Sequence, residues 1–372
     1  MENPFVVVGK IKPEYFCDRR EESSRLVRQL TNGSNVVLVS PRRLGKTGLI
    51  DYCFGQTAIA GHYVTISVDI LRTSSLSELT YLLGRAVFRA IGSRSQRMMR
   101  QVLTTLHSLS GSFGYDPVTA MPTFDVKLGD ITNPAYTLEE IFACIEQADK
   151  HCLIAIDEFQ QICSYAEKNV EALLRTHIQR ASNANFVFAG SERHIMTAMF
   201  HDTARPFYNS ADMLVLEPIA EDRYRHFVSH HFRRAGMDVT DEAIHQAYQT
   251  WDGNTYYLQK TFHDIFSEMN AGDVCGVETV CAATARMVAE GNQKYSELLS
   301  RLTLSQKELL YAIAADRRAS QITSGAFIRR HHLKSASSVQ SAAKKLMEYA
   351  IISTERNEYY IDDQLLRLWL LA

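Results

Sequence analysis

Residues Val36 to Ile50 read VVLVSPRRLGKTGLI, and the parsing of this stretch decides the fold. Asn35 to Ser40 is a short apolar, β-branched run of the kind that forms a buried strand. After the loop, GKTGLIDYCFGQ puts Leu49, Ile50 and Cys53 on one helical face. Between strand and helix, Ser40-Pro41-Arg42-Arg43-Leu44-Gly45-Lys46-Thr47 meets the phosphate-loop pattern G-x-x-x-x-G-K-[ST] everywhere except its first position, where Ser40 stands for glycine. Gly45 lets the backbone turn so that successive N–H groups converge on phosphates, and the helix start, with Gly48 in its first turn, adds its dipole. Lys46 reaches the β- and γ-phosphates and Thr47 can ligate Mg²⁺. The first glycine contributes least to these contacts, and a small serine can open the turn. A basic turn closed by a capping threonine is the competing account, and it leaves the flanking strand and helix unexplained.

Outward from the loop, His62 to Ile70 reads as a second buried strand. Ser75 to Ile91 (SLSELTYLLGRAVFRAI) follows as a helix that Ser75 can cap. From Gly92 to about Asn133 the pattern blurs. The basic stretch SRSQRMMRQ runs into SGSFGYDPVTAMPTFDVKLGD, whose Gly, Pro and alternating apolar residues read as a loop and a strand pair. A helix returns at Thr137 (TLEEIFACIEQADK), with Thr137 as its cap and Glu140 closing a capping box. Cys152 to Ile162 (CLIAIDEFQQI) is a continuous apolar run ending in two acids, and Asn185 to Ser191 (NFVFAGS) is another run. Apolar strands separated by helices predict a parallel sheet buried on both faces.

After MLVLEPI the strands stop, and Ala220 to about Arg301 reads as helices only. SQKELLYAIAAD, SGAFIRRHHL and SASSVQSAAKKLMEYAI then give three helical segments with ISTERNEYYIDD as a wing, the pattern of a winged helix-turn-helix.

LIAIDEFQQI delivers Asp157 and Glu158 at the carboxyl end of a strand, the edge where α/β sheets hold ligands. Asp157 would complete a Mg²⁺ shell with Thr47, and Glu158 would polarise the attacking water. An Asp-Glu pair after a strand also serves as a solvated strand end, but paired with a phosphate loop it points to nucleoside triphosphate hydrolysis. Ser191, ending the third strand, either senses the γ-phosphate and orients water or caps the helix ERHIMTAMF.

Composition sets the bounds. The chain has 372 residues, 46% hydrophobic and 22% charged, which predicts two or three globular domains. A formal charge of -2 calls for no nucleic acid or anionic membrane, so any nucleic-acid site must be local. The seven cysteines are scattered with no C-x-x-C pair, which argues against a disulfide framework or zinc site and for a reducing cytoplasm. The start MENPFVVVGKIKPEYF lacks the features of a signal peptide and no apolar run is long enough for a membrane span. The adjacent histidines His230-His231 and His331-His332 point apart on a helix and seldom share one ion, and they and His151 beside Cys152 read as surface or structural.

YFCDRREESSRLVRQL, SPRRLGKT, LIAIDEFQQI, FVFAGSERHIMTAMF, RPFYNSADMLVLEPI, WDGNTYYLQ and the terminal YYIDDQLLRLWL together resemble, in order and through nearly the whole chain, the archaeal-type AAA+ ATPases. That family is common in archaea and in bacteria such as Bacteroides, and is related to STAND signalling ATPases and archaeal origin-recognition proteins. The resemblance implies an α/β fold: a P-loop NTPase AAA+ core with a parallel sheet flanked by helices (1–217), a helical lid (218–300) and a C-terminal winged helix (301–372). It places Asp18 and Arg19 where the family packs adenine, and Arg205 near the third phosphate. The family's Gly-Arg after RPFY is Asn209-Ser210 here, which leaves Arg193 or Arg205 as candidate arginine fingers. In the lid, Thr255 replaces the proline of the family's Gly-Asn-Pro helix start.

The function expected is ATP binding with Mg²⁺ and slow hydrolysis to ADP and phosphate, driving a conformational switch presented through the winged helix, in a cytoplasmic protein that can form a nucleotide-dependent homo-oligomer. The catalytic set is Lys46, Glu158, Asp157, Ser191 and Arg205. The nucleotide-binding set is Ser40, Pro41, Arg42, Arg43, Leu44, Gly45, Lys46, Thr47, Gly48, Asp18 and Arg19. The winged helix would expose Ser337, Ser338, Gln340, Ser341, Lys344 and Lys345, with Arg329 just ahead, to a protein partner or to duplex DNA. The acidic wing argues for protein. The alternative function is a DNA-binding regulator or defence component with a mainly structural nucleotide site. A small-molecule kinase is disfavoured by the lid, the winged helix and the lack of an acceptor-substrate motif.

Overall fold

The computed structural model describes residues 2–92, 96–108, 114–115, 122–123, 126–355 and 357–372. The chain divides into two compact units, Lys10–Glu217 and the combination of Met1–Gly9 with Pro218–Ala372.

In the first unit the strands are β1 (Val36–Val39), β2 (Val64–Asp69), β3 (Gly114–Tyr115), β4 (Pro122–Thr123), β5 (Cys152–Asp157), β6 (Ala184–Gly190) and β7 (Asp212–Val215). They alternate with helices α1 (Arg20–Thr31), α2 (Lys46–Phe54), α3 (Leu76–Val87), α4 (Gln96–Thr105), α5 (Pro134–Glu146), α6 (Val170–Arg180) and α7 (Arg193–His201). Five strands form an all-parallel sheet in the order β2-β5-β6-β1-β7. The pleat divides β1 between two cores. Val36 and Leu38 pack with Leu26, Leu30, Leu49 and Ile50 of α1 and α2. Val37 and Val39 belong to the opposite core with Leu79, Leu83, Ile141, Leu174 and Met196 of α3, α5, α6 and α7. Burial on both faces is why these strands are continuous apolar runs. The packing is tight where Phe188 of β6 meets Phe159, Phe200 and Phe207, and Phe188→Ala is expected to cost about 3–5 kcal/mol. The order has a consequence for chemistry: β6 lies between β1 and β5, so the ends of the three motif-bearing strands are neighbours.

Several local expectations need correction. Helix α5 starts at Pro134, not Thr137, because Asn133 caps it by accepting from Tyr136 N at 3.2 Å and Pro134 presets the first helical φ. Thr137 lies inside the helix with its hydroxyl on the Asn133 carbonyl at 3.1 Å, and Glu140 accepts from the Ser108 amide rather than closing a capping box. The basic stretch after Gly92 contains helix α4, which buries Met98, Met99 and Val102. In the following segment β3 pairs antiparallel with β4, while 109–113, 116–121 and 124–125 lie outside the described residues. Strand β5 stops at Asp157, and Phe159–Ser164 forms a 3-10 turn.

The second unit contains α8 (Glu221–Arg234), β8 (Asp238–Val239), α9 (Asp241–Thr250), α10 (Thr255–Glu268), β9 (Val274–Cys275), α11 (Val277–Glu290) and α12 (Asn292–Ser300). It is therefore not purely helical before Arg301: β8 pairs parallel with β9, in strands too short for any periodicity to betray. Asn254 caps α10 by accepting from Tyr257 N, which puts Thr255 at the first helical position, where proline and threonine are both accommodated. Phe5 is fully buried against Phe227, Phe232, Phe262 and Phe266, so the first residues pack within this unit.

The chain continues through α13 (Leu304–Asp316), β10 (Ala319–Ser320), α14 (Gly325–Arg330), α15 (Ala336–Glu348), β11 (Ile352–Glu355), β12 (Glu358–Ile361) and α16 (Gln364–Leu371). The last three strands form a sheet in the order β10-β12-β11, which with α13 to α15 makes the winged helix. Ser335 caps α15 by accepting from Ser338 N at 3.3 Å, and Val339, Ala342, Ala343 and Leu346 give it a buried stripe. Of the wing residues, Arg356 lies outside the described residues. The compact unit formed by Met1–Gly9 and Pro218–Ala372 holds both the 218–300 and the 301–372 segments.

Candidate functional site

Ser40 is fully buried, and its backbone N–H donates to the Gly190 carbonyl at 3.3 Å, tying the loop to β6. Its hydroxyl donates to the Pro41 carbonyl at 3.0 Å. The positive-φ residues of the loop are Arg43 at 69° and Gly45 at 92°, so the backbone at 40 makes no demand for glycine. At Gly45 the demand is conformational, because a Cβ there would meet no atom of the described residues within 4 Å. Pro41, Arg42 and Arg43 are exposed, Leu44 is buried, and Gly48 lies against Ile11, whose Cδ1 would sit 3.2 Å from an added Cβ.

Lys46 opens α2 and is 7% exposed. Its ammonium donates to the Ser40 carbonyl at 3.4 Å and lies 3.9 Å from Glu158 Oε1. Burial pushes its pKa below the usual lysine value, against the pull of Glu158 and Asp157. Thr47, beside it, donates its hydroxyl to Asp157 Oδ2 at 2.6 Å. Burial holds the Asp157 carboxyl above its usual range, opposed by the Thr47 hydrogen bond and the Lys46 charge. Hard oxygen donors held side by side are the chemistry Mg²⁺ takes, so Thr47 and Asp157 fit that ion.

Glu158 has left-handed backbone geometry, φ 56° and ψ 42°, at the junction of β5 and the 3-10 turn. Its Oε2 accepts from the Ser191 hydroxyl and from Gln160 Nε2, each at 2.6 Å. Ser191 is thus not the cap of α7, whose N-cap is Glu192 without a side-chain bond. The sequence marks Gln160 only as a polar residue inside an apolar run.

The remaining candidates lie apart from this group or approach it indirectly. Asp18 and Arg19 both have positive φ, 50° and 58°. Arg19 is 5% exposed, and its guanidinium donates to the Leu44 carbonyl at 3.3 Å, the Glu217 carbonyl at 2.6 Å and Glu22 at 2.8 Å. It reaches the loop through backbone. Nearby in sequence, the Phe16 ring stacks on Tyr52 of α2 with centroids 4.0 Å apart. Arg205 pairs with Glu171 of α6 at 2.6 Å and donates to Cys163 Sγ at 3.1 Å, whose thiol burial pushes up to about 11. Its partners are none of the groups around Glu158. Arg193 lies 3.8 Å from Glu217.

A buried lysine, two carboxylates and two hydroxyls thus converge at the carboxyl end of a parallel sheet, behind a glycine-turned loop. The family model for an ATPase domain predominantly from Archaea matches residues 16–261, more than half of the chain, and the chain belongs to that family of archaeal-type AAA+ P-loop ATPases. A model for a probable winged helix domain matches residues 293–372. Among solved structures the chain is similar to a Walker-type ATPase of Pyrococcus abyssi, at 18% identity and TM-score 0.67 over 99% of this chain and 100% of that one. It is similar also to ORC2 of Aeropyrum pernix, in ADPNP-ADP complexes, at 14% identity and TM-score 0.59 over 99% and 95%. ORC1 of the same organism, in complex with DNA, matches at 14% identity and TM-score 0.55 over 99% and 96%. At these identities the likeness is one of fold. Comparison with curated proteins gives no match. Among the described residues no helix is long and apolar enough to cross a membrane.

Proposed function

We propose that the chain binds ATP with Mg²⁺ along Ser40–Gly48 and hydrolyses it to ADP and phosphate. The observation that carries this reading is the Glu158 carboxylate, held between Lys46 and Ser191 beside the Thr47–Asp157 pair. Thr47 and Asp157 would hold the metal, which when bound offsets charge on the β- and γ-phosphate oxygens. Glu158 takes the proton of the attacking water as the water oxygen bonds to the γ-phosphorus. The bond to the bridging oxygen breaks and its electron pair leaves with ADP. Lys46 and the α2 N-terminus stabilise the charge on the transferred group. ATP turnover in Lys46→Ala and Glu158→Gln tests the assignment. Glu158→Gln is expected to keep ATP and lose turnover by about 10²–10⁴-fold; wild-type rates in both variants would sink the reading.

We further propose that nucleotide state governs the presentation of the winged helix. In support, Arg19 joins the Leu44 carbonyl of the loop to that of Glu217, the last residue of the ATPase unit. Hydrogen exchange over α15 with ADP and with a slowly hydrolysed ATP analogue tests this, and identical protection in the two states rules it out.

On α15, Ser337, Gln340, Ser341, Lys344 and Lys345 are exposed and Ser338 is half-buried. The cations around it largely face the chain's own acids: Lys345 pairs with Glu348 at 2.6 Å, and Arg318 lies 3.6 and 3.7 Å from Glu355 and Glu358. This favours a protein partner. Duplex DNA is the second reading, supported by a groove of about 960 Å³ between α15 and the wing that Ser337, Gln340, Ser341 and Lys344 line. Salt-dependent DNA binding lost in the Lys344→Ala/Lys345→Ala double variant would establish it; no binding at low salt would remove it.

A further inference from the structure

We propose that Gln160 is a positioning residue for hydrolysis, fixing the Glu158 carboxylate so that one chosen oxygen acts as the base. The inference rests on the assignment of Glu158 as that base. Both donors to the carboxylate, Gln160 Nε2 and Ser191 Oγ, address the same oxygen, Oε2, at 2.6 Å. Oε1 is left turned toward Lys46, 3.9 Å away. An ionised carboxylate only accepts, so the Gln160 amide must present its nitrogen there. Its carbonyl Oε1 is consequently buried with no hydrogen-bond partner among the described residues, in a side chain only 3% exposed.

An orphaned buried acceptor destabilises the fold by about 1–3 kcal/mol, so an apolar side chain of similar volume would serve packing better. The surroundings accommodate the amide all the same. A Cβ on Gly190 would lie 2.7 Å from Gln160 Oε1 and 2.6 Å from Met196, so the glycine that ends β6 leaves the room that the amide occupies. The left-handed backbone at Glu158, costly for a residue with a Cβ, accompanies the approach of residue 160 to the carboxylate two residues earlier. In the reaction Oε2 stays tied to Gln160 and Ser191. Oε1 receives the water proton while the water oxygen bonds to the γ-phosphorus and ADP departs with the electron pair of the broken bond.

The test is Gln160→Met in the full chain, with ATP affinity, single-turnover hydrolysis and thermal stability measured together. A misplacement of the base of about 1 Å is worth up to ~10²-fold in rate, so turnover should fall about 10- to 100-fold with ATP affinity unchanged within about twofold. The melting temperature should hold or rise. Gln160→Asn, which keeps the amide on a shorter arm, should recover part of the rate. A Gln160→Met protein as fast as wild type, or one that loses affinity and melting temperature in step with rate, overturns the proposal. If Gln160→Met folds poorly, Gln160→Glu of the same shape takes its place, and full activity there overturns the proposal as well. Should wild type and Glu158→Gln hydrolyse ATP equally, the assignment of Glu158 falls first, and that result is distinct from a silent Gln160.

Discussion

Arg205 and Glu171 form a one-armed ion pair: one guanidinium nitrogen lies 2.6 Å from Glu171 Oε1, while Arg205 Nε and Glu171 Oε2 are both buried without a hydrogen-bond partner among the described residues. The arginine that resemblance assigns to the third phosphate is thus engaged inside its own chain. If Arg205 serves a neighbouring subunit's ATP, Glu171→Gln should raise specific turnover severalfold at high protein concentration, and Arg205→Ala should abolish the concentration dependence. Turnover independent of protein concentration in all three proteins would exclude action in trans. Mass measurement with a slowly hydrolysed ATP analogue gives the matching readout of assembly.

The loop makes opposite demands at its two ends. Ser40→Gly should leave nucleotide affinity within about twofold, because the backbone there is not left-handed. Gly45→Ala meets open space but must adopt φ 92°, a conformation that costs a side-chain-bearing residue about 1–2 kcal/mol, which corresponds to roughly tenfold weaker binding. Isothermal titration with an ATP analogue separates the two, and equal effects would contradict the conformational account.

Arg19→Met should destabilise the ATPase unit by about 2–4 kcal/mol, since it strands the Leu44 and Glu217 carbonyls while keeping the apolar stem. Arg19→Lys should rescue only part of this, because an ammonium lacks the planar fork that reaches three acceptors. Urea unfolding followed by tryptophan-independent circular dichroism reads the difference.

His177 supplies a pH dependence away from the site. Its ring lies over Phe142 at 5.0 Å, and burial holds its pKa below the ordinary 6.5. The unfolded chain therefore takes up the proton more readily than the folded one below pH 6.5, so stability falls on acidification through that window and levels off below the folded value. His177→Phe should flatten this part of the melting-temperature profile between about pH 7 and 5. A profile unchanged by the substitution would remove the histidine from consideration.

The strand-loop-helix around Lys46 was legible because all of its chemistry lies in one contiguous stretch, and Asp157 and Glu158 because an acid pair breaks an apolar run. The expected cap at Ser75 is present, accepting from Glu78 N at 3.3 Å, since capping is a local matter too. What escaped depends on distance or on backbone shape. Gln160 meets Glu158 across a turn in which Glu158 itself has positive φ, and Glu171 of α6 meets Arg205 beyond the end of α7. The strands β8, β9 and β10 span two residues each, too few to carry a period of two. Helix α4 was hidden because its buried residues are two methionines and a valine in a basic segment.

The nest of Phe227, Phe232, Phe262 and Phe266 around Phe5 makes the unit that carries the winged helix discontinuous in sequence. A fragment cut at Pro218 would leave that nest open at its centre, exposing aromatic surface and inviting aggregation. Restoring the missing ring in trans, with a short peptide bearing Asn-Pro-Phe, or in cis, by circular permutation that joins residue 372 to residue 2, is how the winged-helix half could be handled by itself.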